Sequence, residues 1–282
     1  MSLTKHIPVP VGLAMPVLTA FALGAVVTTA IFNPRLNLLM IGSFAETYKF
    51  HDWMLKIPRV DDEALGTEDN IRAMSNEASA YLILGRHTRI AECLDDNRSK
   101  GLVILRYYPH GNLRDHIAKM PSVSPTELKT WARQMIEGVA EIHRNGIRHS
   151  DLRLDQWLLD EKLDARLCDF NASGFDANER LGLEGSKSAG LEAYSHFMPR
   201  NSQIDSTELS DLFALGSSLY ELEVGHIPFA ELEGEAVTEQ FEAGKYPDVD
   251  ALCFGDLIQG CWKGEFKSAA DLLEAGVKSC NL

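Results

Sequence analysis

The sequence predicts an α+β chain of two lobes, a small β-rich lobe with one main helix followed by a larger, mainly helical one. Three observations predict it: short strands crowd the region after Pro34, one amphipathic helix interrupts them, and from Ser124 onward apolar residues recur at helical spacing. The 282 residues exceed the usual single-domain range, which suits one large unit or two closely coupled lobes. Hydrophobic residues at 45% and charged residues at 24% give an ordinary globular composition and leave little chain for a disordered tail.

The first 34 residues stand apart. Ile7 to Phe32 carries no charge, and residues 11–32 are an apolar run long enough, as a helix, to cross a bilayer. They read as a candidate single-pass membrane anchor, with an apolar extension packed on the body and a secretory signal as the alternatives. Pro8, Pro10 and Pro16 weaken a helix near its entry. Beyond Asn33-Pro34, strands over Leu36–Ile41, Ala45–Phe50 and Trp53–Ile57 make an antiparallel unit, the last two joined at a tight His51-Asp52 turn. Thr67 ahead of Glu68 and Asp69 marks a helix start. Ile71, Met74, Ala78 and Tyr81 form its apolar face, and Gly85 stops it. Gly101–Tyr107 reads as a further strand, broken by Pro109-His110-Gly111-Asn112. The chain therefore divides into an extension (1–34), a small lobe (35–105), a link (106–112) and a large lobe (113–282).

In the large lobe, Ser124-Pro125-Thr126-Glu127 combines a capping serine, a proline at the first helical position and a glutamate placed to close a capping box. Leu128, Trp131, Met135, Val139 and Ile142 mark one face of that helix, and Asn145-Gly146 ends it. Trp157–Leu159 and Ala165–Cys168 flank the polar turn at 160–164 and predict a hairpin; a further apolar helix runs from about Thr207 to Val224. No internal repeat or low-complexity tract interrupts this order.

The formal charge of −14 argues against a protein that reads nucleic-acid backbones, which would need a cationic face to displace counterions. It favours a basic or neutral protein partner. The five cysteines, Cys93, Cys168, Cys253, Cys261 and Cys280, show no CxxC spacing, so neither zinc nor a disulfide framework is indicated, and a reducing cytosol fits.

Chemistry concentrates in His149-Ser150-Asp151-Leu152-Arg153-Leu154-Asp155-Gln156, followed 18 residues after Asp151 by Asp169-Phe170-Asn171. Either acidic residue alone would be read as solvating a hairpin shoulder. Together, inside the longer pattern, they resemble the catalytic loop and metal-binding segment of eukaryotic protein kinases. The likeness runs from about Leu36 to the end of the chain, and is closest to small serine/threonine kinase-like proteins of filamentous fungi. It implies a bilobal protein kinase fold that takes ATP and Mg2+, with Mn2+ as the alternative ion. In that family Asp151 would orient the attacking hydroxyl, Arg153 would neutralise the transferring phosphate, and Asp169 with Gln156 would hold metal. Trp53-Met54-Leu55-Lys56 resembles the third-strand lysine motif, which makes Lys56 the contact for the α- and β-phosphates and Glu77 the carboxylate that positions it. Gly42 falls at the middle glycine of the phosphate loop. His149, Phe170 and Tyr81 would stack as a packing column, and Asp211 in the Asp211–Gly216 segment would cap the catalytic-loop backbone. The resemblance also implies a protein substrate, Ser/Thr rather than Tyr because no tyrosine-kinase substrate motif follows. A cytoplasmic kinase domain held against the membrane by residues 11–32 completes the expectation.

The family pattern is broken at five places. Met40 and Ala45 replace two glycines of the phosphate loop, which stiffens it. Gln156 replaces an asparagine and sets the amide oxygen one methylene further out. Asn171 replaces glycine, a mild change because asparagine tolerates positive φ. Ser150 replaces the arginine that would receive an activation-loop phosphate. Arg200, after Pro199, reverses the charge of a glutamate whose ion pair supports the substrate-binding segment. Three readings follow: an active protein kinase, a pseudokinase-type interaction module with weak or no catalysis, and a small-molecule phosphotransferase. The Asp211–Leu222 helix and the Cys261-Trp262…Ser268-Ala269 ending separate the first two from the third.

Overall fold

A computed structural model describes residues 37–201 and 204–282. The apolar stretch at 1–34, with its candidate anchor at 11–32, lies outside them, as does Leu36 at the expected start of the first strand. Among the described residues no helix is long and apolar enough to cross a membrane.

The small lobe is a five-stranded antiparallel sheet of β1 (Asn37–Ile41), β2 (Ala45–Phe50), β3 (Trp53–Pro58), β4 (Cys93–Asn97) and β5 (Leu102–Arg106), in the order β1-β2-β3-β5-β4. Four of these strands coincide with the short strands expected from the sequence. The edge strand β4 does not, because its Leu-Asp-Asp centre is half-buried on both faces and carries no period of two. One helix, α1 (Ala64–Leu84), crosses the lobe and ends at Gly85, whose φ of 60° suits a residue without Cβ. It begins a turn before Thr67. Instead of capping, the Thr67 hydroxyl accepts from the Asp61 amide at 2.9 Å, and the Glu63 N-cap makes no side-chain bond.

The large lobe is built on α3 (Pro125–Arg144), which follows a short α2 (Leu113–Ala118). Ser124 and Glu127 close the predicted capping box, and Trp131, Met135, Val139 and Ile142 are fully buried or nearly so. Behind α3 lies α4 (Glu208–Val224), buried almost throughout, with Thr207 as its N-cap. Three further helices complete the lobe: α5 (Glu235–Glu242), α6 (Gly255–Lys263) and α7 (Ala269–Cys280). Gly216 lets α4 and α6 touch, since a Cβ there would lie 2.6 Å from that of Cys261. The hairpin of β7 (Trp157–Leu159) and β8 (Ala165–Leu167) presents its shoulders to the cleft, and a two-strand pairing of β6 (Ile147–Arg148) with β9 (Gly174–Phe175) brackets them. The architecture is α+β in two lobes, as the sequence predicts.

Candidate active site

Strand alternation and helix period bring the first three site residues together. Lys56 lies on β3, Glu77 lies in the middle of α1 among the buried Met74, Ala78 and Tyr81, and Asp169 follows β8. The Lys56 ammonium donates to both Glu77 oxygens at 2.7 and 2.8 Å and to Asp169 Oδ1 at 2.6 Å. Burial opposes its charge, but the carboxylates of Asp169 and Glu77 outweigh burial and hold the ammonium well above its usual pKa. For Asp169, burial likewise opposes ionisation and the adjacent Lys56 overcomes it, leaving the carboxyl below its ordinary value.

The loop at residues 149–156 hangs from one buried carboxylate. Asp211 on α4 accepts the backbone amides of His149 at 2.7 Å and Ser150 at 3.0 Å and the His143 ring at 3.0 Å. Burial disfavours its charge, yet His143 and these amides keep its pKa low. Ser150 sits at φ 66° and Asp169 at φ 67°, two strained turns that the clamp and the Lys56 pair overdetermine. His149 is buried and its Nε2 donates to the Cys168 carbonyl at 2.9 Å, so burial holds it neutral and it serves packing. Its ring lies 5.2 Å from Phe170, which in turn packs edge-on to Tyr81 at 5.1 Å.

Asp151 is the buried carboxylate of the loop. Burial pushes its carboxyl up to about 7, Arg153 pulls against this, and the charges of Asp169 and Asp155 add to it. Arg153 donates to Asp151 at 3.2 Å, and Gln156 turns its Nε2 to the same carboxylate at 2.8 Å. The Gln156 amide oxygen is thereby aimed away from Asp151. Asp169 Oδ1 is taken by Lys56 and by Asn171 Nδ2 at 2.7 Å, which leaves Oδ2. Glu77, Asp151 and Asp169 are paired with Lys56 and Arg153, while Asp155 is shared between Arg153 and Arg114; the three cleft carboxylates thus outnumber the two cations beside them, which suits a divalent ion. Two oxygen donors with no His or Cys suit Mg2+, which keeps water and phosphate as its other ligands.

Gly42 is not in contact with these groups. It lies at the tip of the β1–β2 loop, where its amide closes a turn on the Ala45 carbonyl at 2.8 Å. Arg59, just past β3, donates to the carbonyls of Gly42 at 3.2 Å and Ser43 at 3.4 Å, and its own amide donates to Phe44 at 2.8 Å. The buried Asn70 of α1 donates to the Arg59 carbonyl at 3.0 Å. One residue thus ties the loop tip to the helix that carries Glu77. Sequence reasoning missed Arg59, because an arginine beyond a strand end carries no signal of its partners. It also missed Thr47, which pairs directly with Lys56 across β2–β3 and so shares its face of the sheet. The Thr47 hydroxyl is buried without a partner, an orphaned polar atom beside the cation.

The segment after Asp169 departs from the family pattern at Arg200. The charge reversal removes the family's usual ion pair, as the sequence implies, and the structure supplies another within the segment: the Arg200 guanidinium pairs with Glu192, whose side chain is only 1% exposed. Ser206 accepts from Arg200 and donates to Glu192, both at 3.0 Å. Nearby, Arg114 of α2 bridges Glu221 at 2.8 Å and Asp155 at 3.2 Å, a link that the spacing of these residues does not announce.

Comparison with known proteins adds an independent finding. A family model described as "Protein kinase domain" matches residues 42–248. NUAK family SNF1-like kinase 1 of Homo sapiens is 28% identical over 155 residues, 54% of this chain and 22% of that protein. Maternal embryonic leucine zipper kinase of Xenopus tropicalis is 28% identical over 192 residues, 66% of this chain and 28% of that protein. A Dictyostelium discoideum protein whose name includes the words serine/threonine-protein kinase is 29% identical over 164 residues, 56% of this chain and 18% of that protein. The chain therefore spans less than a third of each of these relatives.

Proposed function

Because this chain belongs to the eukaryotic protein kinase family, we propose that it binds MgATP between its lobes and transfers the γ-phosphate to a serine or threonine hydroxyl of a protein. The observation that carries the reading is the position of Lys56, shared between Glu77 on α1 and Asp169 beyond β8. That arrangement needs both lobes in register, and it prepares a cation for phosphate oxygens beside a carboxylate for metal. Lys56 would hold the α- and β-phosphates beneath the Gly42 loop. Asp169 Oδ2 and the Gln156 amide oxygen would hold Mg2+, or Mn2+ where the longer Gln156 side chain suits a looser shell. The ion supplies charge neutralisation on the phosphates. Asp151 would accept the hydroxyl proton, and Arg153 beside it would offset charge on the phosphoryl group. Support for serine/threonine specificity comes from the named relative.

A second reading is an interaction module with weak catalysis. It is favoured by Met40 and Ala45 in the phosphate loop and by the Gln156 amide turned onto Asp151. Transfer of labelled phosphate from Mg-ATP, and separately Mn-ATP, to the protein and to a generic basic substrate distinguishes the two. Label with wild type that vanishes in Asp151→Asn supports the kinase; equal silence under both metals supports the module. Membrane association through residues 11–32 is a separate proposal, tested by carbonate extraction of the full chain. Release into the supernatant excludes a spanning helix.

A further inference from the structure

Cys253 and Cys280 meet although 27 positions separate them. Both are free thiols, Cys253 exposed and Cys280 buried. Cys280 Sγ donates to the Cys253 carbonyl at 3.1 Å. That contact sets the Cys280 sulfur against the Cys253 residue, and burial together with the neighbouring Cys280 raises the pKa of the Cys253 thiol. Both backbones are fixed. The Glu223 carboxylate at the end of α4 accepts the amides of Cys253 and Phe254, while Cys280 is the last residue of α7, closed by Asn281 in the left-handed region.

We propose that Cys253 and Cys280 form a reversible disulfide that staples α7 to the loop ahead of α6. The chemistry is thiol–disulfide exchange with a small external disulfide such as oxidised glutathione. The exposed Cys253 thiolate attacks one glutathione sulfur and expels a glutathione thiolate, and the Cys280 thiolate then attacks Cys253 sulfur and expels the second. The protein loses two protons and two electrons and gains one S–S bond; two glutathione thiols carry them away. A high thiol pKa leaves little thiolate at neutral pH, so the bond forms slowly. Its place explains its effect: α7 packs along α3, the helix that leads into the catalytic loop, and the bond closes a loop across α6 and α7.

The test is incubation of the full chain in glutathione buffers of rising oxidised fraction, read by intact mass, peptide mapping and thermal melting. The expected result is a loss of two hydrogens, a crosslinked peptide pair holding residues 253 and 280, and a midpoint raised by about 5–10 °C. Cys253→Ser, at an exposed position, should abolish all three changes and still fold; Cys93→Ser should abolish none. A single glutathione adduct that persists on Cys253, or a bond between other cysteines, would overturn the proposal. None of these readouts depends on nucleotide binding or phosphate transfer.

Discussion

Replacing Arg200 by glutamate would put back the charge that protein kinases carry at this place, and here that reversion should unfold the segment it supports in the family. Arg200 and Glu192 are buried together, their side chains 8% and 1% exposed, with Ser206 bonded to both. Removing one partner of a buried pair costs about 3–5 kcal/mol because the other charge is left without compensation. In Arg200→Glu a second carboxylate adds repulsion, and one of the two must protonate to relieve it at about 1.4 kcal/mol per pKa unit raised. At about 2–4 °C for each kcal/mol in a chain of this size, the midpoint should fall by about 6–20 °C. Thermal and urea denaturation of the full chain measure it. The sign with pH is also fixed: a carboxyl whose pKa is raised on folding favours the folded state at low pH, so the loss should be larger at pH 8 than at pH 5. The exchange Glu192→Arg with Arg200→Glu should recover at least half of the loss, a coupling that a double-mutant cycle isolates. A single variant melting within about 2 °C of wild type, or an exchange that recovers nothing, would refute the assignment of this pair as the segment's support.

Arg59→Ala should weaken fluorescent-nucleotide binding about 3- to 10-fold, the worth of one or two modest hydrogen bonds at the loop tip, with kcat changed less than KM. Arg59→Lys should recover part of the affinity, and unchanged binding in the alanine variant would show that the loop needs no strut. The pH dependence of kcat/KM for transfer should show an ascending limb near pH 7. In the proposed role Asp151 works as the carboxylate, its carboxyl is raised to about 7, and activity should therefore be lost as pH falls below that value. A profile flat between pH 6 and 8 would remove Asp151 from the role of base.

Elements with an intrinsic period are legible in the sequence. The Ser124 capping box, the Trp131–Ile142 face and the hairpin around residues 160–164 depend on near neighbours, and the structure has each of them. The two-lobe architecture followed from their order. Strand β4 was illegible because an edge strand with an Asp-Asp centre offers neither face to the core in sequence terms. Lys56, Glu77, Asp151, Arg153, Gln156 and Asp169 could be singled out because a motif spaces them. Gly42 could be placed at its loop, but not the residue that holds it. Arg59, Asn70, Thr47 and Glu192 act through contacts that are long-range or specific to this chain, and single-sequence periodicity carries no trace of those.

The illegible residues bear on the same positions where the chain departs from its family. Two glycines are missing from the phosphate loop, and Arg59 holds the tip from outside, joining it through Asn70 to the helix that bears Glu77. The glutamate at 200 is missing, and Glu192 supplies the carboxylate from within the same segment. The arginine at 150 is missing, and the Ser150 carbonyl instead accepts from Leu191 at 3.2 Å. Further along, Ala189 bonds Ala172 at 2.9 Å, Phe175 and Ser186 exchange two bonds at 2.9 and 2.8 Å, and Asp205 accepts from the Ser188 amide at 3.0 Å. A segment pinned by so many internal bonds gains little order from an added phosphate, and the site has no arginine at position 150 to receive one. The departures are thus better read as one alternative set of supports than as independent losses, and Lys56 bridging Glu77 and Asp169 is the geometry those supports maintain.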